Sequence, residues 1–63
     1  MNPFKKRLIE EKKILDNEIK KLEEFTSSTD FDLLTTIQTS VFRTQLFAMK
    51  SYSEMLSIRI SWI

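Results

Sequence analysis

Two stretches of the chain carry apolar residues at helical spacing, and a polar segment separates them. In the first, Phe4, Leu8, Leu15, Leu22 and Phe25 recur at heptad-like intervals, with Ile19 beside them. That spacing puts them on one stripe of an amphipathic helix. Glu11 and Glu18 occupy two slots of the stripe and interrupt it. The opposite face runs Lys6, Glu10, Lys13, Asn17, Lys20 and Glu24, polar residues with charges of both signs at steps of three and four, as on a solvated helix surface. Asn2 is a good N-cap and Pro3 suits the first helical position. The first helix is predicted over about 3–25.

Thr26-Ser27-Ser28-Thr29-Asp30 breaks the period, because these side chains compete for backbone hydrogen bonds and favour turns. Asp30 is placed to cap a single turn over Phe31–Leu34. Phe31, with Leu33 or Leu34, then plugs the end of the structure. Thr35 with Gln38 forms a capping-box signature, so the corner covers 26–35 and a second helix runs over about 36–62. At 1.5 Å per residue the helices are roughly 35 and 40 Å long, and a short corner makes such helices antiparallel neighbours. The predicted fold is all-α: one domain, 1–63, an antiparallel two-helix hairpin with a short helical turn at the corner.

The second helix carries two apolar stripes. One runs through Phe42, Leu46, Met49, Ser53, Leu56, Ile60 and Ile63; the other through Ile37, Val41, Ala48, Tyr52, Met55 and Trp62. The first helix covers only one of them. An uncovered apolar stripe of that extent marks an interface, so the hairpin is expected to assemble into a homo-oligomer.

Composition strengthens this expectation and narrows the chemistry. A chain of 63 residues buries only about 60% of the surface that it exposes when unfolded, and small folds usually need a staple. With no Cys and no His, neither a disulfide nor a structural zinc site supplies one; partner chains remain. The same absences remove thiolate nucleophiles and imidazole bases. The lack of Gly removes Gly-rich phosphate loops. The expectation is a protein that is not an enzyme and holds no cofactor or metal. A net charge of +1 gives no sustained basic field for duplex nucleic acid. The longest uncharged run, Leu33–Phe42, is too short to span a bilayer, and the charged N-terminal segment is unlike a signal peptide.

Charge is unevenly spread. Residues 1–25 carry thirteen charged side chains; residues 37–63 carry Arg43, Lys50, Glu54 and Arg59. Most of the lysines pair with Glu or Asp along the first helix. Arg59 stands between Ile58 and Ile60 in apolar surroundings, where an unpaired charge is costly. Its guanidinium suits either a carboxylate, Glu11 or Glu18, or a bound anion. The aromatic residues sit mostly at core spacing, but Phe4 and Trp62 fall at the same end of an antiparallel hairpin, where one of them is free to stack on a base.

The ordered pattern Arg7-Leu8-Ile9, Glu11, Leu15, Ile19-Lys20-Lys21-Leu22, Phe25, Ser28, Phe31 and Leu34, continued by Gln45-Leu46, Met49, Tyr52-Ser53, Leu56 and Arg59-Ile60, resembles the phage anti-CBASS cyclic-nucleotide sponges. These are small helical-hairpin proteins whose hairpin occurs also in some phage anti-Thoeris proteins. The resemblance implies a protein of the host bacterial cytoplasm that binds a cyclic oligonucleotide messenger and withholds it from its effector without cleaving it. It implies a homo-oligomer, often a hexamer, with pockets between protomers. It implies cyclic dinucleotides as first ligands, with Phe4 as the stacking aromatic and Lys21, or Lys20, as the phosphate contact. It also matches Arg59 to an Arg that serves a separate cyclic trinucleotide pocket. The competing expectation from the residues is a homo-oligomeric adaptor that binds a protein through its apolar face.

Overall fold

The structure, a computed structural model, describes residues 2–63. Helix α1 spans Pro3–Thr26, a one-turn α2 spans Thr29–Asp32, and α3 spans Thr36–Ser61. Asn2 caps α1, its Oδ1 accepting from Phe4 N at 2.8 Å and Lys5 N at 3.4 Å. At α3, Gln38 N donates to Thr35 Oγ1 (3.1 Å) while Gln38 Oε1 accepts from Thr35 N (3.0 Å), so the capping box is complete.

The corner departs from expectation in its cap. Ser28, not Asp30, caps the single turn, and the turn is Thr29–Asp32 rather than Phe31–Leu34. Ser28 Oγ accepts from Phe31 N at 3.3 Å and donates to Phe25 O at 2.6 Å. One hydroxyl therefore ties the end of α1 to the start of α2, which Asp30, lying inside the turn, cannot do. Asp30 and Asp32 instead supply negative charge to the turn. No described residue takes a positive φ. The Gly-free corner closes with the right-handed caps Ser27 (φ −99°, ψ 1°) and Leu33 (φ −82°, ψ −8°).

Helices α1 and α3 lie side by side and antiparallel. Glu11 meets Tyr52 near one end and Phe25 meets Phe42 near the other, so partners on α3 fall as α1 rises. The hairpin measures 47 × 15 × 11 Å, too thin for much interior. Leu8, Ile19, Phe31 and Leu56 are buried, with Leu56 fully enclosed; Leu15, Leu22 and Phe25 are half-buried. Phe25 meets Phe31 and Phe42 edge-to-face, at ring centroids 5.8 and 5.2 Å apart, a geometry favoured by the ring quadrupoles. Phe31 plugs the corner. Of its two expected companions, Leu34 is half-buried and Leu33 points outward at 84% exposure.

On α3 the first stripe faces α1 and the second is bare. Ser53 and Leu56 are buried and Phe42, Leu46, Met49 and Ile60 half-buried. Ile37, Val41, Ala48, Tyr52, Met55 and Trp62 are all exposed. Ile63, expected with the covered stripe, lies beyond the end of α3 and is exposed.

Candidate functional site

Between the helices, Lys12, Asp16 and Ser53 form a polar clasp. Lys12 Nζ donates to Asp16 Oδ2 and to Ser53 Oγ, each at 2.8 Å, and Ser53 Oγ donates to Asp16 Oδ1. The lysine and the serine hydroxyl both favour the carboxylate and hold Asp16 below its ordinary 3.8. These partners satisfy the buried hydroxyl, and the described residues hold no buried polar side-chain atom without a partner.

Beside the clasp, the Tyr52 phenol donates to Glu11 Oε1 at 2.5 Å. The carboxylate pushes the phenol's pKa above its ordinary 10.0, because ionisation would destroy the bond and oppose two negative charges. Arg59 pulls the other way on the same phenol. Arg59 is half-buried, and the ion pairs among the described residues do not include it. The carboxylate pairings read from sequence are therefore absent within one chain. Glu11 accepts from Tyr52, and Glu18 lies 3.4 Å from Lys21.

Lys21 lies in a groove of about 250 Å³ between α1 and α3, lined by Glu18, Lys21, Leu22, Phe25, Gln45 and Met49. The groove holds a cation, an aromatic ring and an amide, the groups that meet a phosphate and a flat base. Lys21 is well exposed, and its contact to Glu18 is the long, solvated kind that an incoming anion displaces at little cost. Lys20 is exposed on the neighbouring flank of α1.

Phe4 is not part of this groove. It lies seventeen residues before Lys21 on the same helix, about 25 Å away along the axis, and is 55% exposed. Phe4, in the first turn of α1, lies at the same end of the antiparallel hairpin as Arg59, in the last turn of α3. The four residues singled out in the sequence thus separate into two places: Phe4 with Arg59 at the open end, and Lys21 in the groove, with Lys20 beside it. Gln45 and Phe25 join Lys21 in the groove, and sequence reasoning assigned neither to the site. Phe25 sits at core spacing, and Gln45 gives no signal until the register of the two helices is known. Among the described residues no helix is long and apolar enough to cross a membrane.

A Gly-free helical hairpin with a cation-and-aromatic groove on one side and a bare apolar face on the other defines a small binding module. The chain belongs to the Sequestin family, whose model matches residues 2–62. That match is consistent with the resemblance to phage anti-CBASS sponges of small helical build, and the family's name points to sequestration of a ligand. No curated protein and no solved structure matches the chain.

Proposed function

We propose that this protein is a phage-encoded sponge that sequesters a cyclic oligonucleotide messenger in the cytoplasm of the host bacterium and so blocks activation of a CBASS effector. Cyclic dinucleotides are the first candidates and cyclic trinucleotides the second. The ligand is held, not cleaved. The observation that carries this reading is the Sequestin match over residues 2–62; the groove around Lys21 supplies chemistry that fits it.

In this reading Lys21 meets a phosphate, Phe25 and Gln45 meet the base, and Lys20 adds charge at the rim. Arg59 and Phe4 form the second locus, where a half-buried guanidinium without a carboxylate partner suits a larger cyclic ligand. Assembly multiplies each locus. A two-fold or three-fold assembly offers the same cation to every phosphate of a symmetric ligand. Two stacked bases at about 1–3 kcal/mol each, with charged contacts, give the affinity that sequestration needs.

A thermal-shift screen tests the reading. The probes are 3′,5′-linked cyclic dinucleotides, cyclic trinucleotides and, as a ligand with one base and a pyrophosphate, cyclic ADP-ribose. A ligand at 100-fold excess over its Kd adds about 2.7 kcal/mol, a shift of several degrees in a domain this small. A shift with a cyclic di- or trinucleotide supports the proposal. A shift with cyclic ADP-ribose alone keeps sequestration and replaces the messenger. No shift with any of them leaves the adaptor function in its place.

A further inference from the structure

The Phe31 ring that plugs the corner also seats a cation. Arg43 Cζ stands over it, 5.3 Å from the ring centroid, and Phe31 is buried and gripped by Phe25. A guanidinium seated on a ring keeps its in-plane N–H donors for other partners. Arg43 takes part in none of the ion pairs among the described residues. Its fork is therefore held in place and left open, whereas Lys21 leans on Glu18.

The fork opens on a shallow depression of about 400 Å³ along α3, lined by Thr36, Thr39, Ser40, Arg43, Thr44 and Phe47. That volume lies within the roughly 300–1,000 Å³ of small-molecule sites. A long side chain on a helix runs back towards the helix N-terminus, so the guanidinium lies among the hydroxyls of Thr36, Thr39 and Ser40. The Thr39 hydroxyl donates to Thr36 O at 2.9 Å. Among the described residues, those of Thr36, Ser40 and Thr44 meet no acceptor. No acidic side chain lines the depression, and the positive end of the α3 dipole lies beside Thr36. Phe47, one turn beyond Arg43, is 74% exposed.

We infer that this face of α3 is a site for a nucleoside 5′-monophosphate, with the phosphate on the Arg43 fork and the base on Phe47. The parts stand in the order of the ligand. The fork takes two phosphate oxygens, and the hydroxyls of Thr36 and Ser40 donate to the third. A carboxylate, with two oxygens, would leave those hydroxyls idle. Phe47 offers its face for stacking, and Thr44 meets the ribose over the ~6 Å of helix between them. A single cation matches a single phosphate better than a di- or triphosphate. The site is separate from the groove around Lys21, because Phe47 stands about 200° round α3 from Gln45. It is also at the corner end of the hairpin, away from Arg59.

Nuclear magnetic resonance on nitrogen-15-labelled protein tests the site, with AMP, inorganic phosphate and adenosine as probes. AMP should shift the amides of Ser40, Arg43 and Thr44 and the Arg43 side-chain N–H. Phosphate should shift the same signals more weakly, and adenosine should leave them in place. Arg43→Gln should weaken AMP about tenfold or more, and Arg43→Lys should restore only part, because an ammonium makes no fork. Arg43 also packs on Phe31, so circular dichroism checks the fold of both variants. Phe47→Ser leaves Arg43 and the corner intact; it should weaken AMP about fivefold or more while phosphate binds as before. Cyclic dinucleotide binding should be the same in Arg43→Gln as in wild type, so this site and the proposed sponge function fail separately. The inference is overturned if millimolar AMP shifts nothing, or if AMP shifts follow Lys21 and Gln45 instead. Equal AMP affinity in wild type and Arg43→Gln overturns it too, as does a loss of cyclic dinucleotide binding in a folded Arg43→Gln.

Discussion

Tyr52 donates its phenol hydrogen to Glu11 Oε1 across 2.5 Å, joining α3 to α1 where an acid breaks the apolar stripe of the first helix. Glu11 disrupts a coiled-coil seam as a pattern and completes a hydrogen bond as a structure. Together with the Lys12–Asp16–Ser53 clasp, it fixes the register of two helices whose apolar contact is too thin to choose one alone. A one-turn slip of α3 would leave these polar groups without partners, and an unmatched polar group costs more than its hydrogen bond contributes.

Tyr52 is the single tyrosine, so its ionisation can be followed by ultraviolet absorbance without overlap. The midpoint should lie above 10.0. The neutral phenol makes the bond, so its contribution to stability is complete below the ordinary value. That contribution is lost as pH rises through the raised one. Glu11→Gln should bring the midpoint back towards 10.0, and Arg59→Ala should raise it further. A wild-type midpoint at or below 10.0 would break the Glu11 contact.

Asp16 gives the opposite limb. Its carboxyl is lowered from 3.8 by Lys12 and Ser53, so its contribution is complete above that value and fades as pH falls through the folded one. Denaturation between about pH 5 and pH 2 should show a steeper loss in wild type than in Asp16→Asn. Because Asp16 is about half exposed, the difference should be small. Parallel curves would mean that the clasp contributes nothing.

Core residues should separate from surface ones by size of effect. Leu56 is fully enclosed, and Leu56→Ala should cost about 2–5 kcal/mol. Leu22 is half-buried and should cost less. Lys13 is exposed, and Lys13→Ala should stay within about 0.5 kcal/mol. Chemical denaturation ranks the three, and an equal loss for Leu56 and Lys13 would mean that the helix faces are wrong.

The groove carries its own variant. Lys21→Ala should weaken binding of a cyclic dinucleotide by about 1.5–3 kcal/mol, the range for a hydrogen bond to a charged group. It should leave the melting curve of the free protein unchanged, because Lys21 is well exposed. Calorimetry with circular dichroism separates the two effects. Unaltered affinity would move the phosphate contact to Lys20 or Arg59.

Much of the fold is legible in the residues themselves. Asn2-Pro3 and the Thr35–Gln38 box fix two helix starts, because a cap is a local arrangement that neighbouring residues complete. The two faces of α3 are equally plain, since a period of 3.5–3.6 residues is written in order along one helix. The corner is harder. Ser28 and Asp30 are both competent caps, and choosing between them needs the carbonyl of Phe25 in place. The site is harder still. Lys21 and Phe4 look like partners in a list of residues, yet about 25 Å of helix separates them. Gln45 enters the groove only through the register that Glu11, Asp16 and Ser53 impose.

The most direct test of sequestration follows the ligand rather than the protein. A cyclic dinucleotide is incubated with excess protein, the free fraction is collected through a filter that retains the protein, and the retained material is heated and analysed by chromatography. A sponge empties the filtrate and returns the intact cyclic dinucleotide on heating. A filtrate that keeps its ligand, or fragments released on heating, would contradict the account.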